Sequence, residues 1–300
     1  MVPLVSVIIP VFNRAGVLAR AVDSVLEQEG VEYELLVVDD ASNEPAEEVF
    51  RKVEQAGHRV LRLQSNGGPG RARNLGSREA RGEWLAFLDS DDHWLPGKLC
   101  KHLAHLEESG LSIGQTDEIW YRNGERVNPP KLHRIGGGDL FRRSLKAVCV
   151  SSSTVVLKRE LFHSMGGFDE SMFVCEDYDL WLRAASRESF EHLQEPLVVK
   201  YGGHEDQLSR ALPAMDRYRI LSILKGLAQG WIESAERVES ARLELTRKLR
   251  ILGKGSVKHG REGAAQVCRD IAELLADSRF SEARELAESL TRQWATRPER

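Results

Sequence analysis

Leu85-Ala86-Phe87-Leu88-Asp89-Ser90-Asp91-Asp92-His93-Trp94-Leu95-Pro96 is an apolar run that gives way to three carboxylates within four positions. The apolar part reads as a buried strand, and the acids fall where that strand must end. Three neighbouring carboxylates repel one another, so the cluster is costly unless a cation sits there. A divalent ion with oxygen ligands meets that need. Pro96 suits the first turn of a following helix, which predicts a strand-to-helix loop for the acids. Ligands of open α/β sheets bind beyond the carboxyl ends of the strands. Helix capping accounts for one acid and not three. An EF-hand is disfavoured, since Trp94 stands where the loop needs glycine and no Glu follows at its twelfth position. A solvated acidic turn is the plain alternative.

Upstream of this stretch the chain alternates strand and helix. Val5 to Ile9 predicts strand one, with Asn13 as cap of the helix carrying Val17, Leu18, Ala21, Val22, Val25 and Leu26. Leu35 to Val38 predicts strand two, ending in Asp39-Asp40-Ala41-Ser42, and Val60 to Leu63 predicts strand three. A glycine loop, Asn66-Gly67-Gly68-Pro69-Gly70-Arg71-Ala72-Arg73-Asn74, opens the next helix, and Glu83 to Leu88 is strand four. Four such alternations argue for a mostly parallel, doubly wound sheet. Downstream, Asn123-Gly124 between strand-like arms signals a hairpin. Thr154 to Leu157 and Leu197 to Tyr201 read as further strands, and Glu176 to Arg183 as a helix. From about Ala211 the chain reads helical. This predicts two parts, residues 1–210 and a C-terminal helical extension, residues 211–300.

The chain has 300 residues, 41% hydrophobic and 29% charged, as an ordinary globular protein has. A net charge of -4 gives no reason to expect nucleic acid as a partner. The four cysteines are scattered without a CxxC pair, so neither a disulfide scaffold nor a zinc site is indicated. The apolar start lacks a basic leader and meets Pro10, which reads as a strand and not a signal peptide. No stretch is long and apolar enough to span a bilayer. A cytoplasmic location is expected.

Three groups carry chemistry. The glycine loop can cradle phosphate at a helix N-terminus, although Arg73 occupies the third glycine position of a dinucleotide fingerprint. Arg71 and Arg73 can meet a diphosphate there, or can be surface residues of a helix. Asp39 and Asp40 end another strand, and an Asp there can accept from a uracil N3–H or a ribose hydroxyl; a turn or cap is the alternative. Glu176, Asp177 and Asp179 begin a helix, where Glu176 and Asp179 are expected to share a face and Asp177 to turn away. One of them is a candidate general base, against a plain helix-start role. Cys175 reads as a buried packing thiol.

Together these residues resemble a known family. Val5-Ser6-Val7-Ile8-Ile9-Pro10-Val11-Phe12-Asn13, Val38-Asp39-Asp40-Ala41-Ser42, Ala72-Arg73-Asn74-Leu75-Gly76, Leu88-Asp89-Ser90-Asp91-Asp92, Gly167-Phe168-Asp169-Glu170 and Glu176-Asp177-Tyr178-Asp179-Leu180-Trp181-Leu182-Arg183 look like successive blocks of the family 2 glycosyltransferases. The resemblance covers about residues 4 to 209. It implies a GT-A fold and an inverting transfer of sugar from a nucleotide-diphosphate donor, UDP-sugar favoured, with Mn²⁺ or Mg²⁺. The acceptor it implies is a hydroxyl of a glycan or lipid-linked substrate, in cell-surface polysaccharide synthesis. By motif it places Pro10, Phe12, Asn13, Asp40, Gly68, Arg73 and Asp91 at the donor. Asp91 and Asp92 take the DxD-like position, with Asp92 the direct metal ligand and His204 a further ligand. Asp177 is the base, with Glu176 beside it as the competing choice.

Two other readings compete. A sugar-nucleotide pyrophosphorylase needs a lysine- and glycine-rich loop after strand one, which Pro10-Val11-Phe12-Asn13-Arg14 does not supply. A non-catalytic nucleotide-sugar-binding module would assemble with another transferase through the tail; Asp91, Asp92 and Asp177 together argue against it. The tail differs in charge. Residues 1–210 carry 25 Lys and Arg against 33 Asp and Glu, residues 211–300 carry 17 against 13, and no acid interrupts Arg247 to Arg261. That run predicts contact with an anionic membrane face or a solvated helix. Trp231, Ile232, Ala235, Val238, Leu245, Leu249 and Leu252 predict a packing stripe toward the catalytic part or a twin in a homodimer.

Overall fold

The computed structural model describes residues 4–203 and 213–292. Strand β1 (Val5–Val11), apolar except for Ser6, is buried along its whole length, as a central parallel strand must be. It pairs in parallel with β2 (Tyr33–Asp39) and β4 (Trp84–Phe87), and β3 (Arg59–Arg62) extends the set beyond β2. Helices α1 (Ala15–Leu26), α2 (Glu47–Gln55) and α3 (Pro69–Glu79) connect them. The carboxyl ends of β1, β2 and β4 therefore open on one edge of the sheet, where such sheets bind ligands.

Beyond β4 the sheet is mixed. Strand β8 (Val156–Lys158) runs antiparallel to β4 and to β6 (Ile113–Arg122), while β9 (Glu191–Gly202) runs parallel to β6. Strand β7 (Glu125–Val127) folds back on β6 around Asn123 and Gly124, both at positive φ, as the Asn-Gly pair predicts. Strand β9 begins at Glu191 and not at Leu197, because a bulge opposite Thr116 to Glu118 admits Pro196 into the ladder.

Two expected helix starts are corrected. Asn13 does not cap α1: Arg14 holds that position, and Asn13 Oδ1 accepts the Asn43 N–H at 2.8 Å, pinning the β1 loop to the β2 loop. Pro96 does not open a helix. Helix α4 (Lys98–Ser109) starts after Gly97 at φ +77°, and a short strand, β5 (His93–Trp94), comes between the acids and the helix. Strand β5 forms because Trp94 buries its ring, donates its N–H to Ser24 Oγ at 3.1 Å and pairs with Val198 of β9.

Helices α5 (Phe141–Lys146), α6 (Arg159–Ser164) and α7 (Glu176–Ala185) complete the sheet's cover. Four more follow: α8 (Asp216–Ala228), α9 (Ala235–Lys258), α10 (Glu262–Ala276) and α11 (Phe280–Arg292). They share one apolar core with Phe141 and Leu145 of α5 and with Tyr178 and Leu182 of α7. Trp231, Ile232, Leu245, Leu249 and Leu252 of the predicted stripe are buried in it, so the stripe packs within the chain. Among the described residues no helix is long and apolar enough to cross a membrane.

Gly82 marks the tightest approach to another backbone segment in the parallel half. A Cβ there would stand 2.6 Å from the Ser6 nitrogen and 2.7 Å from the Val5 carbonyl carbon. Backbone cannot move aside as a flexible side chain can. Gly82→Ala is expected to cost about 1–3 kcal/mol, whereas Gly16→Ala in α1, with open space around it, should gain about 1 kcal/mol. Urea unfolding of the two variants checks the contrast.

Candidate active site

The strand ends open into a cleft of about 490 Å³. Pro10, Phe12, Asp40, Gly68, Arg73, Asp91, Glu176 and Asp177 all line it. Asn13 and Asp92 are not among the lining residues, and the predicted ligand His204 lies outside the described residues.

Asp40 shapes the glycine loop. Its carboxylate accepts the Gly67 N–H at 2.8 Å, the Gly68 N–H at 2.7 Å and the Asn66 amide at 3.0 Å. Gly68, at φ +88°, is the residue before Pro69 in the first turn of α3, a conformation glycine adopts without a Cβ penalty. Burial pushes the Asp40 carboxyl up, against the pull of the two backbone N–H groups. A carboxylate has about four acceptor sites, so one is left for a donor from the cleft.

Arg73 ties the two sides of the cleft together. Its side chain is 6% exposed and donates to Asp89 Oδ1 at 2.6 Å and to Glu176 Oε1 at 3.3 Å. The guanidinium also faces the Phe168 ring at 5.2 Å. Burial works against its charge, but Asp89 and Glu176 outweigh it and hold its pKa above the ordinary value. Glu176 moves the other way, pushed up to about 7 by burial and the adjacent Asp177, with Arg73 opposing. Glu176 and Asp179, three positions apart in α7, are both buried but have different ionic partners. Arg73 bonds Glu176, which lines the cleft, while Arg183 at 2.7 Å and Lys225 at 3.6 Å hold Asp179. Asp177, expected to turn away from these two, also lines the cleft and is half-buried.

Each acid of the strand-end cluster has its own cation. Asp91 accepts from Arg14, and Arg20 reaches the Asp91 carbonyl at 2.5 Å. Asp92 accepts from Ser153 Oγ at 2.6 Å and from the Tyr201 N–H at 3.2 Å, with Lys200 at 3.7 Å. Ser153 also accepts the Asp89 N–H at 3.1 Å, so one hydroxyl orients two acids. Burial pushes the Asp92 carboxyl up to about 8, Asp89 and Asp91 adding to it and Lys200 opposing. Burial likewise disfavours the Lys200 ammonium, but Asp92 and its neighbours hold its pKa above the ordinary value. Sequence reading missed Arg14, Arg20, Ser153 and Lys200. Arg14 follows the strand-one motif directly and was within reach; Ser153 and Lys200 meet Asp92 only through the strand order.

A hard divalent cation fits the donor set, because Asp91 and Asp92 offer carboxylate oxygens and Asp92 is desolvated, the nearest cation among the described residues being Lys200 at 3.7 Å. Among the described residues no three acid, histidine or cysteine side chains gather as a metal site.

The family model described as Glycosyl transferase family 2 matches residues 6–166. A Rickettsia prowazekii protein named as a glycosyltransferase is 27% identical over 303 residues, 97% of this chain and 86% of its own. The succinoglycan biosynthesis protein ExoO of Rhizobium meliloti is 38% identical over 192 residues, 60% of this chain and 55% of that protein. Of solved structures, S. aureus TarS 1-349 in complex with UDP superposes with a TM-score of 0.66 at 19% identity, over 98% of this chain and 93% of that one. The mannosyltransferase PcManGT from Pyrobaculum calidifontis, in complex with GDP-Man and Mn²⁺, superposes at 0.54 with 17% identity, over 96% and 85%. These likenesses establish the GT-A fold.

The raised Asp92 carboxyl has a consequence for stability. Its folded pKa of about 8 lies above the ordinary 3.8, so the unfolded chain releases this proton first. Stability is therefore expected to fall as pH rises from the ordinary value through about 8 in metal-free buffer. Asp92→Asn, uncharged throughout, should flatten that slope. Urea unfolding across this pH range checks it.

Proposed function

Because the chain belongs to glycosyltransferase family 2, we propose that it moves a sugar from a UDP-sugar to an acceptor hydroxyl, with inversion, in polysaccharide synthesis. The observation that carries this is Arg73, bonded at once to Asp89 at the strand ends and to Glu176 beside Asp177. It holds a donor side and a base side at a fixed separation across one cleft.

In this reading Asp40 accepts from the uracil, and Gly68 and the α3 N-terminus lie along the diphosphate. Pro10 and Phe12 wall the nucleotide. Asp177 takes the proton of the acceptor hydroxyl as its oxygen attacks the anomeric carbon. The bond from that carbon to the diphosphate oxygen breaks, and the electron pair leaves with UDP. Asp177 suits the base because it is open to the cleft, whereas Glu176 is buried against Arg73. Arg73 and Lys200 place positive charge where the leaving group develops its own. A divalent cation, Mn²⁺ or Mg²⁺, would be held by Asp91, Asp92 and His204 and would supply further neutralisation of the diphosphate. Residues 1–210 form the catalytic part, and residues 211–300 an extension packed on it.

Two measurements test this. UDP with Mn²⁺ should raise the unfolding temperature more than UDP in EDTA, and Asp92→Asn should remove the difference; equal shifts in all three conditions would sink the metal role. Asp177→Asn should keep UDP affinity and slow transfer by about a hundredfold or more. If Glu176→Gln is the crippled variant and Asp177→Asn is active, the base is Glu176. UDP binding with no turnover of any UDP-sugar would mean a binding module.

A further inference from the structure

Among the described residues, the exposed large hydrophobic side chains are Leu243, Ile251 and Val257, at 64%, 47% and 47% exposure, and all three belong to α9. At 3.6 residues per turn they fall within an arc of about 120° on one side of the helix. Arg250, Lys254 and Lys258 are exposed within the same arc. From Leu243 to Lys258 the only acid is Glu244, which is buried at the edge of this arc and is paired with Arg247, itself exposed within the arc. Between Leu243 and Lys258 the outer face thus mixes aliphatic and basic side chains, with no exposed carboxylate, over about 22 Å at 1.5 Å per residue.

This face is not needed for packing. Leu245, Leu249 and Leu252 fill the core on the opposite side. Lys248, 1% exposed on its side chain, donates to the Lys146 carbonyl at 3.1 Å and pairs with Asp216 at 3.3 Å. Helix α9 is therefore locked to the catalytic part through its inner face, and presents the outer face on a rigid support. We propose that this outer face of α9 docks the protein on an anionic lipid surface. The aliphatic side chains enter the headgroup boundary while the cations meet lipid phosphates, as interfacial helices do. A second copy of the chain is a poor occupant, because twofold pairing of the face sets Arg250, Lys254 and Lys258 against the same cations. Nucleic acid leaves the three aliphatic side chains unpartnered.

The test is co-sedimentation of the full chain with vesicles of phosphatidylcholine, with and without phosphatidylglycerol. Binding is expected only with phosphatidylglycerol and should fall steeply at high salt. Arg250→Glu/Lys254→Glu should weaken it by about tenfold or more, and Leu243→Ser/Val257→Ser should weaken it as well. All four positions face outward, so unfolding temperature and UDP affinity should match the parent and report an intact fold and site. Absence of binding by the parent chain, or binding that both variants retain, overturns the proposal. So does a dimer by light scattering that Leu243→Ser dissociates, which would make the face a subunit contact.

Discussion

Everything at the cleft depends on a buried guanidinium. Arg73 sits 103 positions from Glu176 and 16 from Asp89, and bonds both. Such a group is expensive to desolvate, and losing one partner of a buried ion pair typically costs about 3–5 kcal/mol. The two carboxylates have the reverse problem. Joined, the three groups satisfy one another and clamp α7, which follows the mixed part of the sheet, onto the parallel half. Arg14 with Asp91 and Lys200 with Asp92 repeat the solution. The acid cluster survives folding because each member has a cation supplied by a different element.

The parallel half was legible because its constraints are local. Val5 to Val11 and Trp84 to Phe87 are apolar on both faces, which only a covered central strand explains. The glycine loop and the Asn-Gly hairpin declare themselves by backbone demands. What escaped reading is set by tertiary context. Strand β5 exists because Trp94 finds a core and β9 finds a partner, and no two-residue pattern could announce that. Asn13 looked like a cap, but the neighbouring loop offered its amide oxygen a better donor in Asn43.

The site shows the same division. Residue types at strand ends pointed to the cleft, and the structure brings most of them there. Their side-chain directions were not readable. Helical spacing put Glu176 with Asp179, but it could not say that Arg73 would take one and Arg183 the other. Ser153 reaches Asp92 across 61 positions, and the Tyr201 N–H across 109. Those contacts follow from β4 lying beside β8 and from β9 joining through β6, an order that spacing cannot supply.

The tail bears on the site through a strained residue. Cys175, just before α7, adopts φ +62°, which costs a residue with a Cβ roughly 1–2 kcal/mol. Nothing in its chemistry favours that conformation; its thiol is buried, and burial pushes its pKa up, away from a reactive thiolate. Packing holds it. Cys175 and Tyr178 lie in the core that includes Tyr218 and Leu221 of α8 and Leu245 of α9. The left-handed turn at Cys175 sets the direction in which Glu176 and Asp177 leave the chain. The helices that follow residue 213 thus help aim the candidate base, although none of their motifs belongs to the family's blocks.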